Sequence, residues 1–226
     1  KSGIEKFKMA VYKGDHISDQ IAKFNAWEIH KTQELADLAD TTLPSPEDGA
    51  FLDIGGNIGY YSLLFAHSGY DVIYVEPLPR NRAAMEVSLC LNPKFKQKIQ
   101  VKPLALSDKT AEQRKGQSCI VIGDNWESNW DNGRLQCGSN KKCPNTKGGR
   151  PCVSVSTNTL DNVIVDKIAI VKMDIEGHEC AVLKGGMSLL KKRSPKLIQY
   201  DGKGQNGCVS SLLEREGYII GTKRGH

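Results

Sequence analysis

The sequence predicts an α/β fold, a mainly parallel sheet with helices on both faces. Three observations point to it. Short apolar runs alternate with helical patterns along most of the chain. The runs are nearly continuous in apolar residues, as strands buried on both faces are. The first well-defined run enters a glycine-rich loop that opens a helix. At about 150 residues per domain, 226 residues make one large domain or two small ones. Apolar content of 39% and charged content of 25% exclude wholesale disorder, collagen and coiled coil. No run approaches the roughly 18–20 apolar residues of a membrane-spanning helix. Lys plus Arg is 31 against 26 Asp plus Glu, a net charge of +5 that permits an anionic partner without requiring one.

Residues 1–48 read as an N-terminal helical extension, and 49–226 as the main domain. In the extension, Phe7–Tyr12 has the pattern of a short strand. Ser18 then caps a helix carrying Ile21, Phe24, Trp27 and Ile29 on one side. A second helix spans Lys31–Asp40 and ends at Pro44 and Pro46, because proline removes a donor and restricts its neighbour. In the main domain, strands are expected at Ala50–Ile54, Asp71–Val75, Ile99–Leu106, Ile168–Met173, Lys196–Tyr200 and Tyr218–Thr222. Helices are expected at Tyr60–His67, Arg80–Leu91, Gly177–Leu190 and Val209–Glu216. The rhythm fails in an insert at about 116–156, which reads as a long loop.

Seven cysteines are unevenly placed. Cys119, Cys137, Cys143 and Cys152 fall in the insert, whereas Cys90, Cys180 and Cys208 read as small buried hydrophobes. Two disulfides in the insert would imply a secretory lumen or Golgi setting; reduced thiols would leave the chain cytoplasmic. A zinc site is the third reading, disfavoured because there is no C-x-x-C. The chain opens on Lys1 rather than Met, so targeting is not legible from its N-terminus.

The most informative stretch is Phe51-Leu-Asp53-Ile-Gly55-Gly56-Asn57-Ile-Gly59, joining a strand to a helix. Glycines let the backbone turn tightly and let a ligand approach it. The following helix N-terminus offers N–H groups to an anion. Glu76 ends the next strand, where a carboxylate accepts both hydroxyls of a ribose. The order G-G-N-I-G is not the dinucleotide fingerprint G-x-G-x-x-G. Asp53 before the loop suits an ammonium and repels a pyrophosphate. S-adenosylmethionine, with its amine, carboxylate, ribose diol and sulfonium, fits this set. A second signal is Lys172-Met-Asp174-Ile-Glu176-Gly177-His178-Glu179. Its strand end brings Asp174 to the same rim as Asp53 and Glu76. Glu179 can equally serve the helix N-terminus through its dipole.

Together with Tyr60-Tyr61-Ser62, Val75-Glu76-Pro77, Ala105-Leu106-Ser107-Asp108, Thr159-Leu160-Asp161 and Val182-Leu183-Lys184-Gly185, these residues resemble the FkbM-type family of S-adenosylmethionine-dependent methyltransferases. The resemblance runs over roughly residues 6–220 outside the insert. It implies a Rossmann-like class I methyltransferase fold of seven strands, the last of which is not seen in this sequence. It implies O-methylation of a sugar, glycan or other hydroxyl-bearing metabolite. It implies cofactor contacts at Asp53, Gly55, Asn57, Gly59 and Glu76, with Ser107 or Asp108 near the adenine. One departure is Asp201 after Tyr200, where the family often has a Glu.

Methyl transfer to a hydroxyl needs alignment and a base. Asp174, Glu176 and His178 are the candidate catalytic residues, with Asp174 expected to be indispensable and His178 to supply part of the rate. A divalent cation such as Mg²⁺ on Asp174 and Asp201 is the alternative way to lower the acceptor's pKa. Trp126, Trp130 and Asp201 are the candidate acceptor contacts. The insert has no Asp or Glu from Asn132 to Leu160 and carries Arg134–Arg150, which points to an anionic or polyhydroxylated acceptor. Nothing resembles a nucleic-acid-binding signature. The competing readings are a nicotinamide-dependent oxidoreductase on a similar sheet and a catalytically inactive cofactor- or glycan-binding module.

Overall fold

The computed structural model describes residues 7–27, 44–123, 133–143, 152–201 and 207–221. The expected helix at Lys31–Asp40 lies outside them, as do Trp126 and Trp130. Phe7–Tyr12 forms no strand. Its amides are met by side chains instead: Lys8 N–H donates to Asn92 Oδ1 (2.9 Å) and Ala10 N–H to Ser88 Oγ (2.9 Å). The apolar side chains Phe7 and Met9 pack on the core from there, so the pattern that suggested a strand reflects burial and not pairing. Helix α1 runs His16–Phe24, and its N-cap is Asp15 rather than Ser18. Asp15 Oδ2 accepts from Ser18 N (3.1 Å) and Ser18 Oγ (2.7 Å). A carboxylate one turn upstream wins the cap because it meets both the orphan amide and the hydroxyl.

Five parallel strands form the central sheet: β1 (Ala50–Ile54), β2 (Val72–Val75), β3 (Ile99–Lys102), β9 (Ile168–Met173) and β10 (Leu197–Tyr200), in the order β10-β9-β1-β2-β3. Alternation splits the apolar residues into two cores. Phe51, Val72 and Tyr74 face α1, α2 (Tyr60–His67) and α3 (Pro79–Leu91). Leu52, Ile54, Ile73 and Val75 face α4 (Leu160–Val163), α5 (Glu179–Lys184), α6 (Met187–Arg193) and α7 (Cys208–Arg215). Phe51 stacks on Phe65 of α2 at 3.7 Å between ring centroids. Each fully buried side chain of this kind contributes about 1.5–3 kcal/mol. The expected mainly parallel sheet with helices on both faces is the one observed.

Three other elements differ from expectation. Ile99–Leu106 is two strands, because Pro103 lacks a donor and the chain turns there; β4 (Ala105–Ser107) leaves to pair with β8 (Thr157–Thr159). Gly177–Leu190 is two helices, α5 and α6, broken at Gly185-Gly186. A Cβ on Gly185 would lie 2.2 Å from Ser107 O, so close approach of the strand forbids a side chain there. Asp161 then caps α6 from outside, accepting from Ser188 N (2.9 Å) and Leu189 N (2.7 Å). Tyr218–Gly221 forms no strand; Tyr218 N–H instead donates to Leu213 O (3.0 Å) and closes α7.

The insert is also not a plain loop. Its described parts make an antiparallel sheet in the order β6-β5-β7, from β5 (Ser118–Ile122), β6 (Arg134–Gly138) and β7 (Cys152–Val155). Cys119 and Cys137 face each other across β5 and β6 and are bonded, and Cys143 is bonded to Cys152. Local propensity was too weak to announce these strands; the cross-links fix them. Cys180 and Cys208 were expected to be buried small hydrophobes, but they form a third disulfide between α5 and α7. Cys90 is free and exposed on α3, not buried.

Replacing Asp161 by Ala strips two amide partners from α6 and is expected to cost about 1–2 kcal/mol of stability, read from urea unfolding. An unchanged midpoint would mean that the cap contributes nothing.

Candidate active site

Parallel register places Ile54, Val75, Met173 and Tyr200 at one level. The residues that follow them, Gly55, Glu76, Asp174 and Asp201, line one cavity of ≈ 230 Å³. Strand order reverses between β1 and β9, so the cavity opens at the topological switch point of the sheet. Gly55 makes this junction possible. Its φ is +77°, and a Cβ there would lie 2.2 Å from Asp174 O. The two ligand-facing loops therefore rest on each other, backbone to backbone.

The glycine loop is held by β2. Gly55 N and Gly56 N both donate to Val75 O (3.0 and 3.2 Å). Asn57 adopts φ +49°, a strained left-handed conformation for a non-glycine residue. Both of its peptide groups are clamped: Tyr74 OH donates to Asn57 O, and Asn57 N–H donates to Glu76 Oε2 (3.0 Å). Glu76 Oε1 accepts from Leu78 N (2.8 Å), and Asn81 donates to the same carboxylate. Burial pushes the Glu76 carboxyl up to about 7, against the pull of these donors. Asn81, on the first turn of α3, also lines the cavity, and its Oδ1 has no hydrogen-bond partner among the described residues.

Asp53 stands apart from this rim. It is fully buried and does not line the cavity. Its Oδ2 accepts from Ser62 Oγ (2.7 Å), while Oδ1 has no hydrogen-bond partner among the described residues. Burial raises its pKa, opposed by the charge of Lys172, which neighbours it in register on β9. Lys172 was not anticipated as a site residue. Its ammonium lies 3.5 Å from Asp174 Oδ2 and 4.7 Å from the Tyr61 ring centroid, and it lines the cavity.

The loop after β9 brings Asp174, Glu176 and His178 to the cavity wall. Glu176 and Gly177 both have positive φ (52° and 95°). Glu179 explains how that turn is held: buried beneath it, its Oε1 accepts from Ile175 N (3.1 Å). Burial raises the Glu179 pKa, opposed by the loop amides that its carboxylate meets. Ser107 and Asp108 lie behind His178 and not on the cavity wall. Ser107 Oγ is 3.0 Å from His178 Nε2, receives Arg114 Nη2 (2.6 Å) and donates to Asp108 Oδ1 (3.0 Å). Although burial opposes it, the Ser107 hydrogen bond and the Arg114 charge hold the Asp108 carboxyl below its usual range. An ionised Asp108 can only accept, so the Ser107 proton goes to it, and Nε2 of a neutral His178 must carry the hydrogen. Burial, with Arg114, lowers the His178 pKa against the pull of Asp108, which keeps the ring neutral near pH 7 with its lone pair on Nδ1.

Two walls come from outside the sheet, and of these only the insert was expected at the site. His16, Ile17 and Trp27 of the N-terminal segment form one, with His16 and Trp27 edge-to-face at 5.8 Å. Val121, Gly133 and Leu135 of the insert form the other. Leu135 faces the cavity, so its neighbours Arg134 and Gln136 face away, and Lys141 Nζ donates to Gln136 Oε1 (3.1 Å) on that far side. The described part of the basic stretch is therefore turned from the cavity. Among the described residues no group of three or more His, Cys, Asp or Glu could hold a metal ion, and nothing supports the cation alternative at Asp174 and Asp201. Glu76, the Gly55–Gly56 cradle and the carboxylates beyond β9 and β10 do suit a small polar ligand with hydroxyl and cationic groups.

No curated protein matches the chain. The crystal structure of methyltransferase FkbM from Methylobacillus flagellatus KT, at 2.20 Å resolution, superposes with a TM-score of 0.48 at 20% identity, covering 75% of this chain and 36% of that one. This chain thus matches a little over a third of that protein's length. A family model described as a methyltransferase FkbM domain matches residues 53–220, from the end of β1 to beyond α7. With the match spanning most of the sequence and the whole ligand-facing rim, the chain belongs to the FkbM methyltransferase family.

Proposed function

We propose that this methyltransferase uses S-adenosylmethionine to methylate a hydroxyl of a sugar, glycan or other hydroxyl-bearing metabolite. The observation that carries the reading is the convergence of Gly55, Glu76, Asp174 and His178 on one cavity at the switch point of the sheet. When bound, the cofactor supplies an electrophilic methyl carbon on a sulfonium. The chain's own residues do the rest. Gly55 and Gly56 let the loop pack directly on Asp174 and Tyr74, where a Cβ on either would clash, and so fix the floor of the cavity. Glu76 accepts from ribose hydroxyls. Asp174, at the rim beside it, takes the amine, and Asp53 acts from below by holding Ser62 and the loop above it. His178, neutral and tethered through Nε2–H to Ser107, presents Nδ1 as the group that takes the acceptor's proton. Apolar walls from Ile17, Leu78 and Leu135 exclude water around it. Asp201, and Trp126 and Trp130 from outside the described residues, are assigned to the acceptor side.

An O-acceptor is favoured because Asp174-Ile-Glu176-Gly177 stands where N-methylating enzymes carry [N/D]-P-P-[Y/F]. Three disulfides are compatible with an oxidising compartment, and a secretory setting is part of the proposal. No helix among the described residues is long and apolar enough to cross a membrane.

Calorimetry with S-adenosylhomocysteine should show binding, and labelled methyl groups should transfer to a hydroxyl acceptor in a panel of polysaccharides and small metabolites. Asp174→Ala is expected to abolish turnover. His178→Gln should lower kcat roughly 100-fold with S-adenosylhomocysteine affinity unchanged. Full activity in the Asp174 variant, or a heat for NAD and none for S-adenosylhomocysteine, would overturn the reading.

Glu76 gives a pH signature with a definite sign. Its native carboxyl titrates at about 7 against an ordinary 4.5. Between those values the native state holds a proton that the unfolded chain has lost, so stability falls as pH rises, by about 3 kcal/mol in all. Ligand hydroxyls favour the carboxylate, so S-adenosylhomocysteine affinity should rise through pH 7. Glu76→Gln should flatten both profiles, measured by urea unfolding and calorimetry; parallel profiles in the variant would assign the titration to another group.

A further inference from the structure

One polar side chain that lines the cavity has no task in the mechanism above. Asn81 is 3% exposed and sits among the residues that line the cavity. Its side-chain amide meets the Glu76 carboxylate. Glu76 already accepts Asn57 N–H and Leu78 N–H, so it is an acceptor at this position. The orientation of Asn81 follows: the NH₂ must face Glu76, because the carbonyl would repel it. Oδ1 then points away from Glu76, and no described residue donates to it. A buried acceptor without a donor is costly, and an apolar side chain of the same size would fill the space without that cost. The amide calls for a donor that no described residue supplies.

A vicinal diol provides it. Each hydroxyl of a ribose can donate one hydrogen, and both Glu76 oxygens already accept a backbone N–H, so a further acceptor next to the carboxylate can take one of the two. The Asn81 amide, whose NH₂ meets Glu76, carries such an acceptor. Resting on the S-adenosylmethionine reading, we propose that Asn81 is a specificity-determining residue that accepts a hydrogen bond from one ribose hydroxyl of the cofactor while Glu76 accepts from the other. The site thereby selects a ribonucleoside over its deoxy analogues. A lone carboxylate is less selective, because its two oxygens can shift toward whichever hydroxyl is left.

The test is calorimetry with S-adenosylhomocysteine and its 2′-deoxy and 3′-deoxy analogues, on wild type and Asn81→Leu. Measurements at pH 9 keep Glu76 ionised in both proteins, so an effect of Asn81 exerted only through the protonation of Glu76 disappears. Wild type is expected to bind one of the deoxy analogues about tenfold more weakly than the parent. Asn81→Leu should bind the parent about tenfold more weakly and lose nothing further when that same hydroxyl is removed. Removal of the other hydroxyl should still weaken binding to the variant. Unchanged affinity in Asn81→Leu, or penalties that multiply, would overturn the assignment while leaving the cofactor reading intact. Should the variant fail to melt cooperatively, wild type decides alone: equal affinity for the parent and both analogues overturns it. Wild type that binds none of the three removes the cofactor reading and this assignment with it.

Discussion

The site depends on one close approach, the contact of the Gly55 backbone with the carbonyl of Asp174. It occurs because β1 lies between β2 and β9 in a register that ends all three strands at one level. A side chain at Gly55 would push the two loops apart by more than an ångström, and the cavity between them would change shape. Much of the surrounding structure fixes this contact. Val75 O receives both glycine amides, Tyr74 and Glu76 grip the two peptide groups of Asn57, and Glu179 ties down the opposite loop at Ile175. Strained φ values at Asn57 and Glu176 persist because these partners over-determine them.

Charge beneath the rim is arranged with the same economy. Asp53, Lys172 and Asp174 form a short series from the buried β1 and β9 to the cavity rim, with Lys172 between the two acids and over the Tyr61 ring. Removing Lys172 would leave Asp53 buried without its opposing charge, which is why ion pairs of this kind are costly to break even when they add little net stability. The lysine makes Asp174 part of a network and not an isolated acid.

The remaining walls come from segments outside the sheet. One is an N-terminal piece whose backbone hangs on Ser88 of α3 and on Asn92 just after it, and whose Arg80–Asp15 contact (3.8 Å) anchors α1. The other is a small antiparallel sheet held by two disulfides. Both present apolar or aromatic groups to the cavity, whereas Arg134 faces away from it.

What the sequence determined by itself is the core and the rim. Continuous apolar runs gave β1, β9 and α2 nearly to the residue, because a strand buried on both faces has few other solutions. The glycines and acids at strand ends were legible because only those residue types permit tight turns and close ligand approach. Tertiary structure alone decided which of these acids reach the cavity. Asp53 looks like its neighbours in sequence yet is sealed under Gly56, and Glu179 resembles Glu176 yet holds the loop from below. It also decided the break at Gly185-Gly186, the pairing of Cys180 with Cys208 and the placing of Asn81 beside Glu76. Each depends on a contact between residues distant in the chain or on burial by another element, and such contacts leave no local periodicity to read.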